Sequence, residues 1–248
     1  GSGWTYTDPL TLTASTSYFT ALDVGNAIHL RGASNEIIRA TISAYIGATS
    51  VTVLPHKTVP ADLQAVAVTD WDRAVDQVSG LWHLEGETVS VFGDGFVVAS
   101  PNNASYDAIT VTGGIVSLDK PYAVIHIGLP YISDAETLDI DTPTGETISD
   151  KAKLVGEVNM FVEDTRGLWV GSKPPASDVI DPLQDLREFK LRDIEDYDSP
   201  PSLTTENISV NIKPEWNSNG RVFVRQVDPI PSTILSISPA GKFPFTGG

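Results

Sequence analysis

Cysteine is absent from the 248 residues. That excludes disulfides, thiolate metal sites and cysteine nucleophiles together, and leaves stability to packing and hydrogen bonding. No apolar run approaches the ~20 residues that a membrane-spanning helix needs. Basic residues are also scarce: 16 Lys and Arg stand against 32 Asp and Glu, giving a formal net charge of -16. Proteins that grip nucleic acid cluster Lys and Arg to displace counterions from phosphates. Here the basic residues are few and scattered, which argues against tight nucleic-acid binding and against adhesion to an anionic membrane. Several chemical signatures are missing as well. There is no HExxH pair, no G-x-S-x-G nucleophile elbow, no phosphate-cradling loop and no dinucleotide fingerprint. No cofactor or metal is expected on those grounds. No secretory leader is legible, and Gly1-Ser2-Gly3 (residues 1–3) reads as a cloning scar, with the natural chain expected to extend upstream.

What the chain does have is turn residues and short alternating runs. Its 17 Pro and 20 Gly recur between β-branched segments, and long helical periodicity is rare, so the expected fold class is mainly β. "AIHLRG", "IIRATISAYI" and "ATSVTVLP" predict a small β-barrel over residues 4–68. A larger antiparallel β-barrel or sandwich region is expected over 69–248, as one domain or two packed β-barrels. "DWDRAVDQVSGL" reads as its short helical or turn-rich entry. "ETVSVFGDGFVVAS" predicts a hairpin turning at Gly93-Asp94-Gly95, where positive φ is needed. "AITVTGGIVSL" repeats the pattern at Gly113-Gly114, and Gly128-Leu129-Pro130 closes the next strand. Across "KAKLVGEVNMFVEDTRGLWVG" two periods compete. Leu154, Val158, Phe161 and Val162 would share a helical face, whereas Leu154, Val158, Met160 and Val162 would share one side of a strand. Thr165-Arg166-Gly167 reads as a turn, which favours strand–turn–strand. "DPLQDLREFK" has room for a short helix, "DIEDYDSPPSLT" is an acidic proline-bearing loop, and "NISVNI", "RVFVRQ" and "TILSIS" are strands.

Three groups of residues invite a chemical reading. In "SGLWHLEGETVSVFGDGFVV", His83, Glu85 and Glu87 alternate. On an extended strand the two glutamates would share a face roughly 6.6 Å apart, at about 3.3 Å per residue, which overlaps glycosidase carboxylate spacing. Catalytic carboxylates need unequal surroundings to separate their pKa values, and two neighbours around a glycine share one solvated environment. The bland reading is favoured. Asp134, Glu136, Asp139 and Asp141, followed by Gly145, form an oxygen-rich run of the kind calcium favours. Pro143 falls where an EF-hand needs a ligand, so the run reads as solvated. Trp71, Trp82, Trp169 and Trp216 show no repeat and read as core or interface residues before a sugar platform. The four histidines, His29, His56, His83 and His126, form no metal-ligand spacing.

Several segments resemble a known family. "VSGLWHLEGETVSVFGDG" and "VTGGIVSLDKPYAVIHIGLPY" are similar to the signature of the nozzle or hub (stabilisation) proteins of short-tailed phages. The likeness continues through "DTRGLWVG", "EFKLRDIEDYDSPPSLTTENISVNI" and "GRVFVRQVDPIPSTILSISP". Residues 4–68, through "SYFTALDVGNAIHL" and "IIRATISAYIGATSVTV", resemble the small β domain called FCCH in ubiquitin-activating enzymes, with no ubiquitin chemistry implied. The resemblance implies a non-enzymatic virion component. Its expected partners are copies of itself in a ring, sixfold in the full-length form, and other tail proteins, with the genome passing through unbound and no membrane involved. In that setting Leu84, Gly86, Val89, Val91, Gly93, Asp94 and Gly95 are framework, and His83 and Glu85 have a structural hydrogen-bonding role at a strand start. The family's large upstream portion is not in this chain. Two rival readings are a virion surface module that binds host glycan or docks tail fibres, and a depolymerase built on Glu85 and Glu87.

Overall fold

A computed structural model describes residues 4–33, 36–141, 147–180, 186–189 and 199–242. Of these residues 51% are strand and 4% helix, in several antiparallel sheets, none of them closed among the described residues. The mainly β expectation therefore holds, as a sandwich- or barrel-like class. In chain order the strands are β1 (Leu10–Thr13), β2 (Ala27–Arg31), β3 (Ile37–Gly47), β4 (Ser50–Pro55), β5 (Trp71–Ser79), β6 (Thr88–Gly93), β7 (Phe96–Ala99), β8 (Ile109–Thr110) and β9 (Ile115–Tyr122). They continue with β10 (Ile125–Gly128), β11 (Ser133–Glu136), β12 (Lys153–Thr165), β13 (Trp169–Gly171), β14 (Arg187–Glu188), β15 (Thr204–Asn217), β16 (Phe223–Gln226) and β17 (Thr233–Lys242).

Compactness divides the chain into Gly1–Glu85 with Val111–His126, and Gly86–Thr110 with Ile127–Gly248. The expected division after residue 68 and these units do not coincide. The first unit is one six-stranded sheet in the order β1-β4-β3-β2-β5-β9. Its core follows from alternation: Ile28, Ala40, Ile42, Val51 and Val53 are buried with Phe19, while Leu10, Leu12 and Leu30 pack against them. The segment expected as a helical or turn-rich entry is instead β5, hydrogen-bonded to β2 on one side and β9 on the other. Charges at Asp72, Arg73 and Asp76 hid its period of two, in which Ala74 is fully buried. Pairing on both edges outweighs a weak local preference.

The second unit is built from β6 with β7 and β8, a four-stranded sheet β11-β16-β13-β14, and a three-stranded sheet β15-β12-β17. Val158, Met160 and Val162 of β12 and Ile208, Val210 and Ile212 of β15 meet Val170 of β13 and Val224 of β16 in one core. Strand–turn–strand is thus the outcome for 153–171, with one difference in detail. Opposite β17 a bulge lies between Val155 and Glu157, and Val155 is buried in place of Leu154, which is half-buried. One extra residue reverses the alternation beyond it. A second constraint sits on the facing strand. A Cβ at Gly241 would collide with the Leu154 carbonyl oxygen, so no other residue fits there without moving β17.

Both predicted glycine turns form. Asp94 and Gly95 carry φ of 48° and 87° between the paired residues Gly93 and Phe96, the two positive angles that a two-residue type I′ hairpin demands. Gly113 and Gly114 do the same at 63° and 68°, closed by reciprocal backbone bonds between Thr112 and Ile115. β10 ends at Gly128, as expected. Most of "DPLQDLREFK" lies outside the described residues. Its visible part is not helical: Arg187 and Glu188 pair with Val170 and Trp169. The acidic stretch through residue 198, Gly1-Ser2-Gly3, Pro143 and Gly145 also lie outside the described residues.

Met160, 1% exposed in the core of the second unit, gives a direct check. Met160→Ala is expected to cost about 2–5 kcal/mol in chemical denaturation. Asn159→Ala, on the exposed side of the same strand, is expected to stay within about 0.5 kcal/mol.

Candidate functional site

The opening cluster takes a form that its spacing did not predict. Trp82–Leu84 is a single 3-10 turn, Glu85 caps it, and Gly86 has a φ of 80°. β6 starts only at Thr88. Glu85 and Glu87 are therefore not strand neighbours on one face, and the glycosidase-like separation does not apply to them. The Glu85 carboxylate instead accepts the Gly113 N–H at 2.8 Å and the Gly114 N–H at 2.6 Å. One carboxylate thus holds both amides of the neighbouring glycine hairpin, which is the hydrogen-bonding role expected of Glu85. His83 and Glu87 are exposed.

The acidic run from Asp134 is dispersed among separate partners. Asp134 forms a fork with Arg225, both oxygens at 2.7 Å, and that guanidinium is itself buried. The pairing with Asp134 holds the Arg225 pKa above its ordinary value. Arg221 bridges Glu136 and Asp139. Asp141 accepts from the Thr147 hydroxyl and the Ile148 N–H. Among the described residues no three His, Asp or Glu side chains converge as a metal cage. The histidines are likewise apart. His29 is buried in β2, and Nδ1 of His56 accepts the Arg39 N–H at 3.0 Å.

The tryptophans divide. Trp169 is 1% exposed in a cluster with Ile180, Leu186, Phe223 and Val227, and its Nε1 has no partner among the described residues. Trp71, Trp82 and Trp216 are exposed at 40%, 70% and 62%, so of the core-or-interface expectation these three do not take the core alternative. Gly114 explains Trp82. A Cβ there would meet three indole atoms at 2.6–2.9 Å, so one indole face lies on the bare glycine of the turn and the side chain is otherwise open to solvent.

The most concentrated polar chemistry lies in the second unit, in residues that the sequence did not single out as a site, Arg166 and Gly95 being expected only as parts of turns. Asp228 is 4% exposed, with Oδ1 and Oδ2 accepting from Nδ2 of Asn103 at 3.1 and 3.2 Å. Burial raises its pKa above the ordinary carboxylate range. Hydrogen bonds from Ser100 and Asn103 oppose the shift, the charge of Glu188 adds to it and Arg166 opposes it. Nearby Tyr106 is pushed up to about 12 by desolvation and by the charges of Asp228 and Glu188. The Gln226 amide donates to the Asp228 and Ile230 carbonyls. The Arg166 guanidinium donates to the carbonyls of Gly95 and Pro201. Close approach completes the knot: a Cβ on Gly95 would meet Pro200 at 2.8 Å, and one on Gly167 would meet Ile230 at the same distance.

Chemically, this arrangement fastens loops. A guanidinium is a fixed fork of donors and never loses its charge. Used on two carbonyls, it holds the Asp94-Gly95 hairpin and the Pro200-Pro201 segment to the turn after β12. The segments that meet are "VFGDG", "DTRG", "SPP" and "RQVDPIP", each part of a stretch that carried the resemblance. Only the Gly turns among them had a local signal, because the remaining partners lie far apart in sequence.

Two expectations follow. For a carboxylate whose pKa is raised on folding, the stabilising contribution is complete below the unfolded value of 3.8 and is lost as pH rises through the folded value. Asp228→Asn should therefore gain stability relative to the parent as pH rises above about 4, read as a rising difference in melting temperature. Glu85→Ala should accelerate amide exchange at Gly113 and Gly114 by about tenfold, the loss of a charge-assisted hydrogen bond of about 1.5 kcal/mol.

No protein-family model matches this chain, and none of the curated proteins compared with it matches either.

Proposed function

We propose that this chain is a structural component of a phage tail, part of the nozzle or hub ring through which the genome of a short-tailed phage leaves the virion. The observation that carries the reading is the knot around Arg166 and Asp228. The stretches that resemble the nozzle family supply Gly95, Arg166, Pro201 and Asp228, and Arg166 acts by holding the Gly95 and Pro201 backbone. A conduit under mechanical load needs its loops fixed to one another, and a cluster of this kind does that.

The charge balance fits the same role. With 32 acidic and 16 basic residues, a ring of such chains presents carboxylates that repel phosphates, whereas a basic lining would retain them. Copies of the chain and other tail proteins are the partners, and the virion is the location.

A second reading, a surface module that binds neutral host glycan, draws on one observation. The Trp82 indole is backed by Gly114 and 70% exposed, and a sugar ring stacks on such a face.

Electron microscopy of the chain, extended upstream as the resemblance implies, tests the first reading. A closed ring with an axial hole and a net-negative inner wall is the expected result. A ring walled by Lys and Arg, or no ring at all, counts against it. A glycan-array signal that disappears in Trp82→Ala would move the assignment to the second reading.

A further inference from the structure

Within the first unit, a cleft of about 330 Å³ opens over the sheet. Leu12, Phe19, Ile28 and Leu30 form its apolar side, and Tyr18 and Trp71 are its aromatic wall. Their rings meet edge to face at 5.0 Å and 83°, and each residue is 40% exposed. Thr13, Ser15, Thr16 and Thr69 add hydroxyls to the rim, and Ala14 and residues 66–68 add further apolar surface. Asp70 and Asp72, on either side of Trp71, both bind Arg31 at 3.0 and 2.7 Å. Two carboxylates against one guanidinium leave a negative charge beside the cleft.

The chemistry of the cleft selects its occupant. A sugar seated on Ile28 and Leu30 would strand hydroxyls against carbon, at the cost of an unmade hydrogen bond for each. An aromatic or prolyl side chain loses nothing there. Aromatic-lined grooves take proline-containing segments because a backbone already held extended gives up little entropy on docking. This chain carries such a segment. Lys242 ends β17, and Phe243-Pro244-Phe245 follows, outside the described residues. It is uncharged and apolar, and the lysine before it complements the negative rim.

We propose that this cleft receives the Phe243-Pro244-Phe245 segment of a second copy of the chain. The contact is heterologous, one copy's segment in the next copy's cleft, and repetition of a heterologous contact closes a ring when the rotation permits. It rests on the ring reading for the presence of the second copy and supplies the contact that reading lacks.

The test uses the full chain carrying Phe243→Ser and Phe245→Ser, which frees the cleft. A fluorescent peptide spanning Pro239–Gly248 is then added and followed by anisotropy. Saturable binding is expected. It should weaken at least about tenfold with Trp71→Ala or Tyr18→Ala in the protein, the loss typical of a buried aromatic anchor. Phe243→Ser in the peptide should weaken it similarly, and that change leaves the protein's fold untouched. In sedimentation, the parent chain should self-associate more strongly than the double serine variant. No peptide binding, binding indifferent to Trp71 and Phe243, or a neutral oligosaccharide binding in the peptide's stead would overturn the proposal. A ring that still forms in the double serine variant would overturn it while leaving the ring reading intact. Peptide binding that depends on Trp71 and Phe243, with no ring from the upstream-extended parent, would uphold the cleft assignment and sink the ring reading.

Discussion

A buried carboxylate is the constraint around which the second unit is arranged. Asp228 sits almost wholly out of water, where an unpaired charge costs several kcal/mol, so its neighbours must be polar and their positions fixed. Asn103 comes from the loop after β7 and Ser100 from the end of that strand. Gln226 belongs to β16, and Arg166 to the turn after β12. Each neighbour then fixes something else. The one Ser100 hydroxyl proton serves either Asp228 or the Val227 carbonyl, Asn103 accepts the Ser105 N–H, and Arg166 reaches the Gly95 and Pro201 carbonyls. The apolar core between the two sheets supplies the bulk of the stability, yet apolar contact is not directional. The polar cluster supplies direction, because each hydrogen bond accepts one geometry.

Glycines serve the same end by another route. Gly95 and Gly114 stand at hairpin positions that need positive φ, and each also lets a large side chain come closer than any Cβ would permit. Pro200 rests on the first and Trp82 on the second. The hairpin tips are thus docking points as well as reversals. Glu85 adds a third restraint by holding both amides of the Gly113-Gly114 turn. A turn with its backbone donors occupied and a side chain laid across it has little freedom left.

Which parts of this were legible in the sequence follows from the range of each interaction. The two glycine hairpins and the long strand from Lys153 were visible because their signals are local, a positive-φ requirement and a period of two. β5 was not, since Asp72, Arg73 and Asp76 interrupt its apolar positions, and its stability comes from bonding to a strand on either side. The bulge after Val155 was invisible for a related reason. It answers to the partner strands, and nothing in "LVGEV" marks it apart from the glycine itself. The role of Arg166 was hidden by distance, its two acceptors lying 71 and 35 residues away in sequence. Nothing local singled out Asp228, because burial is a property of the fold. Glu85 was the exception among the polar residues: its structural role was expected, although its partner was not.

The charge of the molecule gains meaning once the ion pairs are placed. Arg31 is held by Asp70 and Asp72, Arg73 by Asp23, Arg221 by Glu136 and Asp139, and Arg225 by Asp134. Lys57 and Lys173 pair with Glu36 and Glu215. These cations are engaged with the chain's own carboxylates, several of them forked or doubly bonded, and a guanidinium so occupied offers little to a phosphate. The acidic surplus has no such internal counterweight, so the field beyond the surface is negative even where arginines lie close to it. Screening confines that field to about 10 Å at moderate salt, too short to act at long range but comparable with the clearance between a wall and a duplex inside a narrow channel. A chain of this composition therefore discourages a polyanion from resting against it without needing a specific site to do so. The proposed genome passage would require that property, and it follows from where the arginines are already bound.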